Sequence, residues 1–447
     1  MKHDLENTTN DKNTPYKENI IMKNLKKKNN LHKENTTAAT DLAHLDYQDV
    51  PEVALMKLMF PFCKTAKVGN LFYPVIPSGN LMDFIACDDN FVEAARKVKL
   101  NAINPSGSEH GIVKKVCDMF LDTPSFREII CHDLLHGTYS PEKIASDPIF
   151  IAKHMTLPRG FKYTANQVLQ TMIMQEVEKA LGDNVMTPYA WSERSNPGVG
   201  VMIETIDGIR ARGFKYWISF KLKSLLDNIP HDILMQKIRI VFQDKTVADL
   251  ICDLVGLNAH AAGDSQTKHI GIPKDSPLAT FLAYDLYLSE LDQEIKRRGL
   301  AHVRYNDEIV VFCENKESAE QIRGALVAFV KNEMKCPVDH NRTRIKDISH
   351  LAFLGLQLQG GRWRIQYSLK DKAAGDYLVA LIAYAKLQDD SLLWRAYGKL
   401  TKFISLYEDV YALQNEIQRL KKWRDDHFTN IIAFTEKVKL GLVKLPD

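Results

Sequence analysis

Two short β-type runs, Ala301-His302-Val303-Arg304-Tyr305 and Ile309-Val310-Val311-Phe312, are separated only by Asn306-Asp307-Glu308. β-Branched and aromatic residues on both sides of so brief a polar break predict a hairpin. Such a hairpin carries two adjacent carboxylates to its tip. Paired acids there can hold a divalent metal, whereas an Asp-Glu pair in a turn is ordinarily solvated punctuation. The rest of the chain has to decide between the two.

Residues 200–360 share the texture of the hairpin, with short β-type runs such as Tyr216-Trp217-Ile218-Ser219-Phe220 divided by helical patterns, so a mixed sheet with helices packed on it is expected. Residues 45–190 have apolar groups at helical spacing, as in Phe91-Val92, Ala95, Val98 and in Val168-Leu169, Met172-Ile173, Val177, and are expected to be mainly helical. After about 370 the chain is again helical. There Phe403, Leu406, Val410, Leu413, Ile417 and Leu420 alternate steps of three and four. That stripe predicts either a coiled-coil contact with a partner or a helix of a terminal bundle packed on its own domain. Residues 1–45 are rich in Asn, Lys, Thr and Glu, include Lys26-Lys27-Lys28, and hold too few apolar groups for a core. They read as a disordered tail, solvated or touching phosphates.

At 447 residues the chain is too long for one core, and two or three packed domains are expected. Apolar residues at 45%, charged residues at 26% and a net charge of +3 describe a soluble globular protein and do not by themselves announce nucleic acid. The seven cysteines include no CxxC pair, which argues against a zinc ribbon or a disulfide framework. No apolar run reaches the ~18 residues of a membrane span, and no apolar signal core opens the chain. The expectation is a cytoplasmic protein without a membrane partner.

Other segments bear on the hairpin. Upstream stands Gly271-Ile272-Pro273-Lys274-Asp275-Ser276-Pro277-Leu278, then a long helical pattern through Phe281-Leu282, Leu286 and Leu291-Asp292; downstream come Asn341-Arg342-Thr343-Arg344-Ile345 and Phe353-Leu354-Gly355-Leu356. In this order and spacing the motifs resemble the reverse transcriptases of bacterial group II introns and their retron-like and phage-defence relatives. The resemblance extends back through Trp217 and Asp227-Asn228-Ile229-Pro230-His231-Asp232, which are similar to the first palm motif. It also takes in Asp133-Leu134-Leu135-His136-Gly137-Thr138-Tyr139-Ser140-Pro141 and Asp89-Asn90-Phe91 through Val98, and so covers about 80–370. It implies an α+β right-hand polymerase. Residues 46–200 would form a helical N-terminal region and fingers, 201–368 the palm, and 369–447 a helical thumb-like or accessory domain.

In that family one Asp of the first palm motif and two Asp of the hairpin hold two magnesium ions. The resemblance places Lys221 at the first position and Glu308 at the third, so only Asp307 is unchanged. No acid lies between residues 208 and 226, so a small shift of register does not restore the missing one. Two unit charges 4 Å apart interact by ~4 kcal/mol at an effective dielectric of 20, and the lysine has reversed the sign. Lys221 is expected to repel magnesium and to pair with Asp307 or Glu308. In the nucleotide pocket, Leu226 stands for the aromatic that screens the ribose, Gln167 for a triphosphate-binding arginine, and Lys274-Asp275 for Gln-Gly before Ser276-Pro277. Nucleotide contact would fall to Gln167, Leu226, Lys274 and Ser276.

A pseudo-polymerase follows as the leading expectation: an RNA- or DNA-binding protein, acting with an RNA, a second reverse transcriptase or a homo-oligomeric partner through the C-terminal helices, with a setting in phage defence implied by resemblance alone. An unconventional polymerase or nucleotidyltransferase is the enzyme alternative, with Mg2+ or Mn2+ at Asp307 and Glu308 and with Asp227, Asp232 or Asp275 completing the site. A splicing cofactor is the third. Basic residues beside Phe214, Tyr216 and Trp217, namely Arg210, Arg212, Lys215 and Lys223, together with Arg342, are candidates to line a nucleic-acid groove, against a solvated face. Arg419, Lys421-Lys422 and Arg424 carry the same choice. His132 and His136 have a two-ligand spacing without a third ligand, and Gly198-Val199-Gly200 reads as a turn.

Overall fold

The structure, a computed structural model, describes residues 64–68, 71–76, 81–102, 108–140, 160–182, 187–257, 269–440 and 442. The tail with Lys26-Lys27-Lys28 lies outside the described residues, as does Pro141. A hairpin comes first, β1 (Lys64–Val68) and β2 (Leu71–Val75), paired from Lys64↔Val75 to Val68↔Leu71. It is an exception within a region expected to be mainly helical; the signal was Gly69-Asn70 between two short runs. Among the described residues five helices then follow: α1 (Leu81–Ile85), α2 (Asp88–Asn101), α3 (Ser108–Asp122), α4 (Pro124–Leu135) and α5 (Phe161–Leu181). Phe91, Ala95 and Val98 of α2 and Val168, Met172 and Ile173 of α5 are the buried faces. Asn90 joins the two helices, donating to the Met172 carbonyl at 3.1 Å.

The sheet begins at β3 (Ala190–Trp191), followed by α6 (Val199–Arg210) and β4 (Tyr216–Phe220). Next come α7 (Leu225–Asn228), α8 (His231–Val241), α9 (Lys245–Leu254), a π-helical stretch (Phe281–Tyr287) and α10 (Ser289–Arg297). The predicted hairpin is β5 (His302–Tyr305) and β6 (Glu308–Cys313); α11 (Lys316–Asn332) and β7 (Arg344–Asp347) complete the unit. The strand order is β3-β5-β6-β4-β7, antiparallel except for β3 with β5. Because side chains alternate across a strand, Trp217, Val303, Val310 and Phe312 share one face. They join a hydrophobic cluster that includes α6 and the C-terminal helices.

A second sheet of three antiparallel strands follows, β8 (Ala352–Phe353), β9 (Leu356–Gln359) and β10 (Arg362–Ile365). Leu354 and Gly355 have φ +51° and +76° between β8 and β9, and Gly360 and Gly361 have +55° and +76° between β9 and β10. Paired positive φ is what a two-residue hairpin turn demands. The chain ends in α12 (Tyr367–Leu387), α13 (Asp390–Ser405), a short 3-10 turn (Tyr411–Leu413) and α14 (Gln414–Lys439).

Two sequence expectations change here. The stripe from Phe403 to Leu420 does not lie on one helix: α13 stops at Ser405 and α14 starts at Gln414. Val410, Leu413 and Ile417 are buried in the hydrophobic cluster while Leu406 is half exposed, so the apolar period reflects packing on the chain's own core. Gly198-Val199-Gly200 is the start of α6, not a free turn. The Gly200 N–H donates to the Asp409 carboxylate at 2.8 Å, and a Cβ on Gly200 would come within 2.4 Å of the Asp409 carbonyl oxygen. Nearby, Tyr407 donates its hydroxyl to the Leu354 carbonyl at 3.2 Å, and a Cβ on Gly355 would lie 2.7 Å from that hydroxyl.

Candidate active site at the hairpin tip

The hairpin tip is built from behind. Arg304 on β5 is fully buried, and its guanidinium grips Asp292 of α10, with Nε 2.9 Å from Oδ2. Its Nη1 donates to the Asn306 carbonyl at 2.8 Å, and the Asn306 N–H donates to the Trp191 carbonyl at 2.9 Å. Asn306 has φ +50°, a conformation asparagine adopts more readily than most residues. The turn is thus braced on two sides, which fixes where Asp307 leaves the backbone. Burial pushes the Asp292 carboxyl up, but Arg304 and His302 more than offset this and hold it below its usual range.

Lys221 follows β4, whose last pair is Phe220↔Ile309, so it stands one step further along, beside Glu308. Its backbone is held by residues 337–343. Its N–H donates to the Thr343 hydroxyl at 3.2 Å, and its carbonyl accepts from the Asp339 N–H at 2.9 Å. From that position the ammonium reaches Asp307, with Nζ 2.8 Å from Oδ2 and both side chains about a quarter exposed. Glu308 turns to the second sheet and accepts the Leu354 N–H at 3.1 Å. Burial pushes the Glu308 carboxyl above its usual range and Asp307 adds to this, while the Leu354 N–H and Lys221 oppose it.

The residues expected at the nucleotide come together on one loop. Tyr163, Gln167 and Gln170, on one face of α5 by their spacing, hold residues 275–276. Tyr163 donates to the Asp275 carboxylate at 2.7 Å and Gln167 to the Asp275 carbonyl at 3.1 Å, and Ser276 donates to the Gln170 amide oxygen. Gly271, at φ +90°, lets the same loop approach the Asp227 backbone, where a Cβ would meet the carbonyl oxygen at 3.0 Å. The Ile272 N–H donates to the Leu226 carbonyl, and Lys274 pairs with Asp227 at 2.8 Å.

The acids named as alternatives for completing a metal site are engaged elsewhere. Asp227 is held by Lys274, Asp232 by Lys335 at 3.1 Å, and Asp275 by Tyr163. Among the described residues no group of three or more His, Cys, Asp or Glu side chains is placed to hold a metal ion. With an ammonium against Asp307, the residues at the tip do not fit a pair of divalent cations. His132 and His136 stack on each other with ring centroids 4.1 Å apart, and His136 Nδ1 bonds the His132 carbonyl.

The basic run 210–223 is divided by β4. Arg210, Arg212 and Lys215 precede the strand while Lys221 and Lys223 follow it, roughly 17 Å away for five extended residues. Arg210 is tied to Asp207, and Trp217 is buried beneath the Lys346 ammonium, so no single stripe with an open Trp217 exists. Lys223 and Arg342 do share the hairpin-tip end, because Lys221–Lys223 run alongside 337–339. Thr343, Tyr407 and Leu354 support the site and were not singled out from sequence. Thr343 and Leu354 were visible only as parts of the Asn341-Arg342-Thr343 and Phe353-Leu354-Gly355 motifs.

Residues 166–358 match the family model described as reverse transcriptase (RNA-dependent DNA polymerase). Similar solved structures include apo telomerase from Candida tropicalis, with 11% identity over 65% of this chain and 55% of that one and a TM-score of 0.40. Another is a partial Cas6-RT-Cas1–Cas2 complex, with 13% identity over 57% and 43% and a TM-score of 0.30. The chain thus spans about half the length of these two. No curated protein matches. Residues 166–358, which contain the hairpin, the loop before Pro277 and Lys221, are a domain of the reverse-transcriptase family.

Proposed function

We propose that this protein binds nucleic acid on a reverse-transcriptase scaffold without polymerising nucleotides. The observation that carries this is the ion pair between Lys221 and Asp307, which sets an ammonium 2.8 Å from the one hairpin acid that matches the family pattern. Polymerisation needs concentrated negative charge to draw in the cations that activate the primer hydroxyl and clamp the triphosphate. Here that charge is neutralised from within. Glu308 is drawn toward its neutral form by burial and is tied to the Leu354 N–H, which weakens it further as a ligand. Lys223 and Arg342, at the same end of β4, remain suited to phosphate.

The test is incorporation of labelled deoxynucleotides by the purified full chain, in magnesium and in manganese, beside Asp307→Ala. No incorporation, with an added RNA or DNA still retained, is the expected result. Incorporation that disappears in Asp307→Ala would overturn the proposal and establish a rebuilt metal site.

A further inference from the structure

The C-terminal helices carry an aromatic surface that the hairpin tip does not use. Trp394 on α13 is 62% exposed, whereas Trp191, Trp217 and Trp363 are buried. Its ring lies 5.2 Å from that of Phe428 on α14 and 6.3 Å from Tyr397, which are themselves 4.8 Å apart. Arg424 stacks on Tyr397 at 4.4 Å and is anchored by Asp425 and by the Thr401 hydroxyl. The indole is therefore backed from the α14 side and open on the other.

On the open side, helical spacing sets Ser391 and Gly398 one turn to either side of Trp394, with Lys402 a further turn along. A Cβ on Gly398 would meet nothing within 4 Å. Glycine weakens a helix interior, and no close packing on this face accounts for it. The result is a notch one turn from an exposed indole, floored by small residues. An apolar side chain from a protein partner would find little more than the ring itself to pack on, but a flat ligand would find a clear approach to one face.

The charge around the ring favours an anion. Within α13 Arg395, Lys399 and Lys402 outnumber Asp390, and Asp389 at the N-cap is answered by Arg395. Among the described residues neither Lys399 nor Lys402 has a carboxylate within ion-pairing distance, and the Arg395 Nε is buried without an acceptor. An aromatic ring beside unpaired cations is the combination on which single-stranded nucleic acid binds, the base on the ring and the backbone on the cations.

We propose that Trp394 is a stacking site for an unpaired base of single-stranded nucleic acid, with Gly398 leaving room for it and Lys399 and Lys402 meeting its phosphates. The proposal rests on the nucleic-acid reading above and adds to it a site on elements other than those of the hairpin tip.

The test is binding of a fluorescein-labelled pyrimidine oligonucleotide, single-stranded or as a duplex, to the full chain by fluorescence anisotropy, with iodide quenching of tryptophan emission measured in parallel. Trp394→Ala should bind the single strand roughly tenfold more weakly, Trp394→Phe should stay within about threefold of the original, and Gly398→Leu should weaken binding while leaving Tm within a few degrees. The iodide-accessible emission, which Trp394 dominates by its exposure, should fall when the single strand binds. Equal binding by Trp394→Ala with unchanged quenching overturns this inference and leaves the scaffold reading standing. A change in oligomeric state in Trp394→Ala with unaltered oligonucleotide affinity overturns it in favour of a protein contact. Failure of the original chain to bind either oligonucleotide overturns both readings.

Discussion

Two sets of ion pairs lie on either side of the hairpin, and they do different work. Behind it, the helix running from the π-helical stretch into α10 carries Asp285, Glu290 and Asp292, each buried or nearly so and each answered by a cation from another element: Arg194 at 2.7 Å, Lys237 at 2.5 Å and Arg304 at 2.8 Å. In front of it, Lys221 with Asp307 and Lys274 with Asp227 pair at the same distances but in contact with water. A buried charge stripped of its partner is left uncompensated, whereas a solvated one is not. The rear pairs therefore hold the fold, and the front pairs set the character of the surface at little cost in stability. On the proposed reading, the lysines in front would exclude metal without being required for folding.

The sharpest challenge to that contrast is Arg304→Met. It leaves Asp292 buried without its main cation, and a loss of about 3–5 kcal/mol in denaturant unfolding is expected. Gly200→Ala comes next, since its new methyl meets the Asp409 backbone, and should cost about 1–3 kcal/mol by the same measurement. Lys221→Met should change stability by no more than about 1 kcal/mol, because water screens Asp307. A loss as large as that of Arg304→Met would erase the distinction between front and rear. Lys221→Asp sharpens it further. With Asp307 and Glu308 it gathers three acids, and manganese binding followed by electron paramagnetic resonance should appear where the original chain shows none.

The smallest effect is expected from Glu308→Gln, which keeps an acceptor for the Leu354 N–H. The folded protein holds the Glu308 proton more tightly than the unfolded chain does, since its carboxyl is pushed up. Stability should therefore decline as pH rises from the ordinary glutamate range through the folded value, and the decline should be shallower in the glutamine variant. Thermal unfolding between pH 4 and 8 measures it; an unchanged slope would mean that Glu308 ionises freely.

Much of this was legible in the sequence, and what was not has physical causes. The hairpin was clear because β-branched runs flanked a polar break of three residues, and the helices over 88–181 because their apolar faces keep one period. The stripe from Phe403 to Leu420 misled because a turn of suitable length preserves the period while breaking the helix. The basic run 210–223 misled in the opposite way, since neighbours in sequence end up at opposite ends of a strand. The pairing of Asp227 with Lys274 joins residues 47 positions apart, and nothing local announces such a contact.

Gly198 and Gly200 yield space to Asp409, and Gly355 yields it to Leu369 and Tyr407. The helical end of the chain thus meets the sheet by backbone contact as well as by side chains, and the Tyr407 hydroxyl reaches the same Leu354 turn whose N–H holds Glu308. The C-terminal helical segment is accordingly a wall of the hairpin site rather than a lid over it. A polypeptide severed near residue 369 would lose the wall and leave the start of α6, the Leu354 turn and an apolar face uncovered together.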